Sequence, residues 1–257
     1  MSVADLWIFV LRPCLRGEID LELPCTIDSF MPTAPRKLII AIDGPAGAGK
    51  STIASRLARD LGYINLESGA MYRALALKAI EQDLALDDEA ALVKLAQQSH
   101  ITLEPTRTAN RVLLDERDVS QRVREVDVTD AASKVSVHPG VREWMVARQR
   151  EMGAGGGVVM EGRDIGTKVF PDADLKVFLD AHPDVREKRR LLQQQISGPL
   201  AEQVAAELRQ RDQRDRTRAN SPLVPAVDAV ILDSTDLGED EVLARIERCI
   251  HKKLSAG

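Results

Sequence analysis

A glycine-rich segment that ends in lysine and serine could bind the phosphates of a nucleotide. Residues 44–51 read Gly-Pro-Ala-Gly-Ala-Gly-Lys-Ser, which fits the pattern G-x-x-x-x-G-K-[ST]. An apolar run at 38–42 precedes the segment, and apolar residues four apart follow it, which predicts a strand, a loop and a helix. In that context the backbone N–H groups of the loop and the helix N-terminus face phosphate oxygens. The segment, called the P-loop below, therefore predicts an ATP site.

Two side chains of the P-loop indicate how the phosphates are held. Lys50 places a positive charge near the β- and γ-phosphates, and Ser51 offers a hydroxyl oxygen to Mg²⁺. We therefore expect ATP as phosphoryl donor, with Mg²⁺ held in part by Ser51. The residues assigned to the nucleotide site are Gly44, Pro45, Ala46, Gly47, Ala48, Gly49, Lys50, Ser51 and Thr52.

A phosphate-binding loop does not by itself say where the γ-phosphoryl group goes. A guanine-nucleotide switch needs an N-K-x-D element, but none of the asparagines, at 65, 110 and 220, is followed by lysine. An ATP-driven motor protein would be larger, and a strand after the P-loop would end in a carboxylate that follows several apolar residues. This pattern is only weakly present in the sequence. A small-molecule kinase remains the best interpretation.

Three further segments, read together, indicate the acceptor. Residues 67–73 contain S-G-A-x-Y-R, residues 161–167 contain G-R-D-x-G-T, and residues 211–218 read R-D-x-x-D-R-x-R. With the P-loop, these segments occur in the order found in bacterial cytidylate kinases, which the chain resembles from about residue 37 to its C-terminus. The resemblance implies a nucleoside monophosphate kinase that transfers the γ-phosphoryl group of ATP to CMP or dCMP. Glu67 departs from it, since the family more often has Asp there.

Phosphoryl transfer between two polyanions chiefly requires positioned positive charge, and arginine binds phosphate with two parallel hydrogen bonds. The resemblance assigns Lys50, Arg73, Arg163 and Arg218 to catalysis, with Ser68 and Tyr72 near the acceptor phosphate. It puts Arg211 and Asp215 on the ribose. On a helix over 200–218, positions 211, 215 and 218 share one face. The complete set of expected substrate contacts is Ser68, Tyr72, Arg73, Ser133, Arg142, Arg163, Asp164, Arg211, Asp215 and Arg218.

Cytosine presents an amino donor beside two acceptors, so a protein that recognises it needs one carboxylate and one or two donors. The resemblance assigns this task to Ser133, Arg142 and Asp164. Two alternatives remain open. One is a P-loop kinase that acts on shikimate or on a monophosphate other than CMP. The other is a regulator that binds a nucleotide but does not catalyse phosphoryl transfer.

Charge and composition exclude several other classes. The net charge of −5 and the eight aromatic residues argue against a nucleic-acid partner. No apolar run approaches the roughly 18 residues that span a bilayer, so no membrane partner is expected. Three cysteines without a C-x-x-C pair favour a reducing cytoplasm. We expect a cytoplasmic monomer.

The elements that would position these residues alternate between strand and helix. Apolar runs at 38–42, 63–66, 158–161, 175–179 and 229–232 predict an α/β fold, with a doubly wound five-stranded parallel sheet and helices on both faces.

The long connection at about 70–157 predicts an inserted monophosphate-binding subdomain with a small antiparallel sheet at 101–103 and 112–118. A short lid is expected within 189–218, with its turn at 193–199. The kinase domain would span 37–257. Residues 1–36 are interpreted as an N-terminal extension, either poorly ordered or an artefact if translation starts at Met31.

Overall fold

The computed structural model describes residues 37–106, 110–194 and 198–255. The predicted N-terminal extension lies outside these residues, as does part of the predicted lid turn. The strands in the described residues are β1 (Ile39–Asp43), β2 (Ile64–Glu67), β3 (Ile101–Pro105), β4 (Asn110–Leu114), β5 (Arg117–Asp118), β6 (Val158–Gly162), β7 (Leu175–Asp180) and β8 (Val230–Asp233).

Helices fill most of the chain between these strands. They are α1 (Lys50–Leu61), α2 (Ser68–Glu81), α3 (Glu89–Gln97), α4 (Val126–Val135), α5 (Pro139–Gly153), α6 (Pro183–Gln194), α7 (Pro199–Thr217) and α8 (Glu239–Ser255). A 3-10 turn covers Arg122–Arg124 and a π-helical turn covers Ile165–Val169. In the part of the chain that the structure describes, no helix has the length and apolar character needed to cross a membrane.

Five parallel strands form the main sheet in the order β2-β6-β1-β7-β8, which confirms the predicted fold class. Each of the five strands predicted for this sheet begins and ends within one residue of the observed strand. The order places β1, which leads into the P-loop, in the centre of the sheet. Parallel strands end at one edge, so the side chains that follow β1, β2 and β6 meet there.

Helices cover both faces of the main sheet because alternate residues of β1 belong to different cores. Ile40 and Ile42 pack in a core with residues of α1 and α8, whereas Ala41 packs in a second core with residues of α2, α4 and α5. All three residues are fully buried. A central parallel strand is therefore apolar on both sides, which explains its continuous apolar sequence.

The connection between β2 and β6 carries the predicted small sheet, with antiparallel order β3-β4-β5. Helices α2 to α5 lie in the same connection. Leu92 and Val112 of this connection share one core with Leu66 and Met160 of the main sheet. The same core includes residues of α4 and α5, so both helices pack with the main sheet through shared apolar side chains.

We expect the buried face of α2 to contribute strongly to stability. Leu75 is fully buried, so Leu75→Ala should lower the free energy of unfolding by about 2–5 kcal/mol, because it removes apolar contacts and leaves a cavity. The matched control is Leu254→Ala on α8, where the leucine is 54% exposed and the change should stay within about 0.5 kcal/mol. Urea unfolding of both variants measures the difference, and equal losses would contradict this packing.

Candidate active site

A cavity of about 870 Å³ opens at the carboxyl edge of the main sheet. The P-loop and α1 form one wall, and α2, α4, α5 and α7 contribute to the others. Every substrate contact expected from the sequence lines this cavity. Of the nine expected nucleotide residues, Gly44 and Pro45 do not line it. The structure thus brings Ala46 of the P-loop and Arg218, which are 172 residues apart in the sequence, to the same cavity.

Two P-loop glycines are required by close backbone approaches. Gly44 has a φ of +147°, and a Cβ there would lie 1.9 Å from the carbonyl oxygen of Leu179 on β7. Gly47 has a φ of +77°, and its Cβ would lie 2.7 Å from the carbonyl oxygen of Arg186 on α6. Glycine alone permits both the positive φ and the contact. The loop therefore curls tightly between β7 and α6.

Lys50 is buried at the start of α1 with its ammonium group turned back onto the loop. Its Nζ donates to the carbonyl oxygen of Pro45 at 2.7 Å, and the residue is 5% exposed. Burial, together with the nearby Arg163, lowers the pKa of Lys50 to about 7. A bound polyphosphate would therefore favour the protonated form of Lys50 and raise its pKa.

Ser51 contacts a carboxylate that the sequence analysis did not assign. Its Oγ donates to Oε1 of Glu161 at 2.5 Å, and Glu161 is buried near the end of β6. Burial and the nearby Glu67 raise the pKa of Glu161. The signal that could have found Glu161 is an apolar run, 158–160, that ends in a carboxylate.

The pair of oxygens from Ser51 and Glu161 suits Mg²⁺, which prefers oxygen ligands and keeps several waters. The described residues contain no cluster of three or more His, Cys, Asp or Glu side chains that could hold a metal ion. Two side-chain oxygens would fit a metal ion whose other ligands are nucleotide phosphates and water.

Asp215 joins two of the predicted catalytic arginines. Its Oδ2 accepts from Nε of Arg163 at 2.9 Å, and its Oδ1 lies 3.6 Å from Nη1 of Arg218. Burial opposes ionisation, but Arg163 and Arg211 hold the pKa of Asp215 below its usual value. The carboxylate thus keeps cations from two separate segments side by side.

Arg211 approaches the same cluster from α7, on the predicted face with Asp215 and Arg218. Burial and the neighbouring Arg163 lower the pKa of Arg211 to about 10. Arg190 on α6 lies near Arg73, and burial and that neighbour lower the pKa of Arg190. Arg190 lines the cavity but was not among the assigned site residues. In the sequence, Arg190 falls within the predicted lid at 189–218 but was given no role of its own.

Arg73 is positioned on α2 by an ion pair with Glu67, both of which are largely buried. Burial opposes ionisation of Glu67, but Arg73 lowers its pKa below the usual value. Ser68, at the start of α2, donates its hydroxyl hydrogen to the carbonyl oxygen of Glu161 at 2.7 Å. Ser68 therefore ties the start of α2 to the end of β6, whereas the Glu67–Arg73 ion pair joins the end of β2 to α2.

The predicted cytosine contacts form a separate group, which we call the base pocket: Ser133, Arg142 and Asp164. Arg142 forms a buried ion pair with Asp164, and its Nη1 donates to the carbonyl oxygen of Ser136 at 3.1 Å. The Arg142 guanidinium lies 5.7 Å from the centroid of the Tyr72 ring. Tyr72, expected near the acceptor phosphate, thus packs against the base pocket.

Several buried donor atoms of this cavity have no hydrogen-bond partner in the described structure. Buried polar groups are normally paired, so such a group of orphaned donors points to a polar, electron-rich ligand. The atoms are Arg73 Nε, Ser133 Oγ, Arg142 Nε, Arg211 Nε, Arg214 Nε and Arg218 Nη2.

The pKa of Lys50 leads to a test of the P-loop. At pH 8 most Lys50 is neutral in the free protein, and a bound polyphosphate raises its pKa, so ATP binding should take up roughly one proton. For the same reason, affinity for ATP should fall as pH rises through about 7. Titration calorimetry in two buffers of different ionisation heat measures the uptake. Lys50→Arg, which stays charged, is the control, and equal uptake by both proteins would contradict the assignment.

Known proteins match this chain over most of its length. Residues 40–252 match the family model described as cytidylate kinase. The chain is 48% identical to a cytidylate kinase of Solibacter usitatus (strain Ellin6076), over 88% of this chain and 97% of that protein. It is 47% identical to a cytidylate kinase of Desulfitobacterium hafniense (strain Y51), over 86% of this chain and 96% of that protein. The chain therefore belongs to the cytidylate kinase family.

Proposed function

We propose that the protein transfers the γ-phosphoryl group of ATP to CMP or dCMP, giving ADP and CDP or dCDP in pyrimidine nucleotide metabolism. Membership of the family supports the reaction class. The observation that carries the acceptor assignment is the base pocket, where Ser133, Arg142 and Asp164 lie together beside the arginine cluster. Its carboxylate and two kinds of donor complement cytosine.

The donor nucleotide binds along the P-loop, residues 44–52. Backbone N–H groups of the loop hold the phosphates, and Lys50 contacts the β- and γ-phosphates. Ser51 and Glu161 would provide oxygen ligands to a Mg²⁺ ion that enters with ATP. When bound, Mg²⁺ neutralises charge on the phosphate oxygens and keeps the γ-phosphoryl group in line for transfer.

The acceptor phosphate binds where Arg73, Arg163 and Arg218 converge, with Ser68 at the wall of that site. Their guanidinium groups neutralise charge that would otherwise keep two polyanions apart, and they stabilise the charge spread over the transferring group. No general base is needed, because the second pKa of a monophosphate is near 6 and the attacking oxygen is already ionised at neutral pH.

Selectivity for cytosine follows from the polarity of the base pocket. Asp164 accepts from the exocyclic amino group, while Arg142 and Ser133 donate to the ring nitrogen and carbonyl oxygen. Uracil presents a carbonyl oxygen and an N–H in the first two places, so buried groups would lose their partners. Arg211 and Asp215 face the ribose, with the carboxylate accepting from a sugar hydroxyl.

Water must be kept from the γ-phosphoryl group, and we infer that residues 189–218 form the lid that does so. Arg190 and Arg211 on this segment already line the cavity. We further infer that the insertion at 70–157 is the monophosphate-binding subdomain of a 37–257 kinase domain. A cytoplasmic monomer remains the expectation from composition.

An acceptor panel tests the proposed reaction. ADP release with ATP and Mg²⁺ should be fast with CMP and dCMP and absent or slow with AMP and shikimate. The kcat/KM for UMP should be lower by about 10⁴, because a polar pocket rejects a base with inverted hydrogen-bonding groups. A rate with any non-cytosine acceptor that equals the CMP rate would overturn the proposal, as would ATP binding without turnover.

Asp164→Ala tests the base pocket. The ratio of kcat/KM for CMP to that for UMP should fall by about 100-fold or more, since cytosine loses its carboxylate partner, while KM for ATP should change less than about threefold. Asp172→Ala removes an exposed carboxylate from the same segment and serves as the control. A parallel loss of CMP selectivity and ATP affinity in Asp164→Ala would show that the residue is misplaced.

A further inference from the structure

Asp43 is a buried carboxylate that neither the donor nor the acceptor assignment uses. It is the last residue of β1 and is 5% exposed. Its Oδ1 accepts from the backbone N–H of Ile165 at 2.8 Å, and its Oδ2 accepts from that of Gly166 at 2.7 Å. These donors are 122 and 123 residues away in the sequence. Asp43 therefore connects the strand before the P-loop to the segment that carries Arg163 and Asp164.

The two N–H groups belong to the start of the π-helical turn at 165–169. The first N–H groups of any helical turn have no acceptor within the turn, and an ionised carboxylate makes stronger hydrogen bonds than a neutral group. Within the turn, the carbonyl oxygen of Asp164 accepts from the N–H of Lys168 at 2.8 Å. Fixing the N–H groups of residues 165 and 166 therefore fixes the backbone that carries the Asp164 side chain.

Close packing leaves this segment little room for another position. A Cβ on Gly162 would lie 2.6 Å from Oγ of Ser68, and a Cβ on Gly166 would lie 3.2 Å from the side chain of Lys176. Asp43 also packs against Gly166, because its Oδ2 would lie 3.4 Å from a Cβ placed on that glycine. Lys176 and Asp43 thus both pack against Gly166, and Asp43 supplies a polar anchor for the turn.

The charged groups that face Asp43 come from two elements. Burial raises the pKa of Asp43 to about 6, Asp164 acts in the same direction, and the two backbone hydrogen bonds and Lys50 on α1 act against it. A carboxyl with a raised pKa near 6 is ionised at pH 7–8 and gains its proton as the pH falls below about 6. Protonation of Asp43 would turn one of its two carboxylate oxygens into a hydroxyl, which would weaken the hydrogen bond that this oxygen accepts from the backbone.

We propose that Asp43 is a positioning residue for acceptor recognition. Through the N–H groups of Ile165 and Gly166 it aims Asp164 at cytosine and keeps Arg163 beside the acceptor phosphate. The inference deepens the proposed function and rests on its assignment of Asp164 to the base. Asp43 is assigned to neither nucleotide, so its loss should alter selectivity for the acceptor much more than affinity for the donor.

The isosteric variant Asp43→Asn tests this role, because its amide NH₂ must face one of the two backbone donors. The CMP-to-UMP ratio of kcat/KM should fall about tenfold or more, while KM for ATP should stay within about threefold. The control is Asp174→Asn at the other end of β1, where the carboxylate accepts from the N–H of Ile39 at 2.8 Å. It should lower the melting temperature similarly but leave the ratio unchanged.

A double variant separates this inference from the proposed function. If Asp43 acts through Asp164, adding Asp43→Asn to Asp164→Ala should change the CMP-to-UMP ratio less than about threefold further. Independent, multiplicative losses would overturn the inference, as would equal increases of KM for CMP and ATP. An unchanged ratio in Asp164→Ala alone would instead overturn the base assignment itself.

A measurement on the unmodified protein covers the case in which Asp43→Asn does not fold. CMP and UMP carry the same phosphate group, so ionisation of that group changes kcat/KM for both substrates equally. The ratio of the two kcat/KM values is therefore independent of it. Between pH 7 and pH 5 this ratio should fall, because Asp43 gains its proton in that range. A ratio that stays constant across the range would overturn the inference.

Discussion

The arginines of this site must stay together before any phosphate arrives, and paired carboxylates make that possible. Asp215 contacts Arg163 and Arg218, Glu67 contacts Arg73, and Asp164 contacts Arg142. A buried guanidinium without such a partner would carry a large desolvation cost and would repel its neighbours. Each carboxylate therefore allows a cation to remain in the cleft with donor atoms left over for a ligand.

The end of β6 and the residues that follow it contact both the P-loop and the proposed acceptor site. Glu161 contacts Ser51 of the P-loop, and two residues later Arg163 contacts Asp215 of α7. Asp164 then turns into the base pocket. Because β6 pairs directly with β1, the central sheet sets the distance between the proposed donor and acceptor sites. Loops that carry catalytic groups gain precision from such rigid support.

Local patterns in the sequence were enough to predict the strands, the P-loop and the shared face of α7, because each depends on neighbouring residues or on a regular period. Arg142 and Ser133 could be placed only through the family resemblance. Glu161, Arg190 and Asp43 were not assigned, since their roles depend on contacts with residues far away in the sequence, such as Asp43 with Ile165. The position of Tyr72 against Arg142 likewise follows from how α2 packs beside α5.

A crystal structure with CMP and a non-hydrolysable ATP analogue bound together tests the central claim most directly. The account predicts that Arg73, Arg163 and Arg218 contact the acceptor phosphate, with cytosine between Asp164 and the donors of Ser133 and Arg142. Arginines turned away from both phosphates, or a cytosine ring bound outside that pocket, would contradict it.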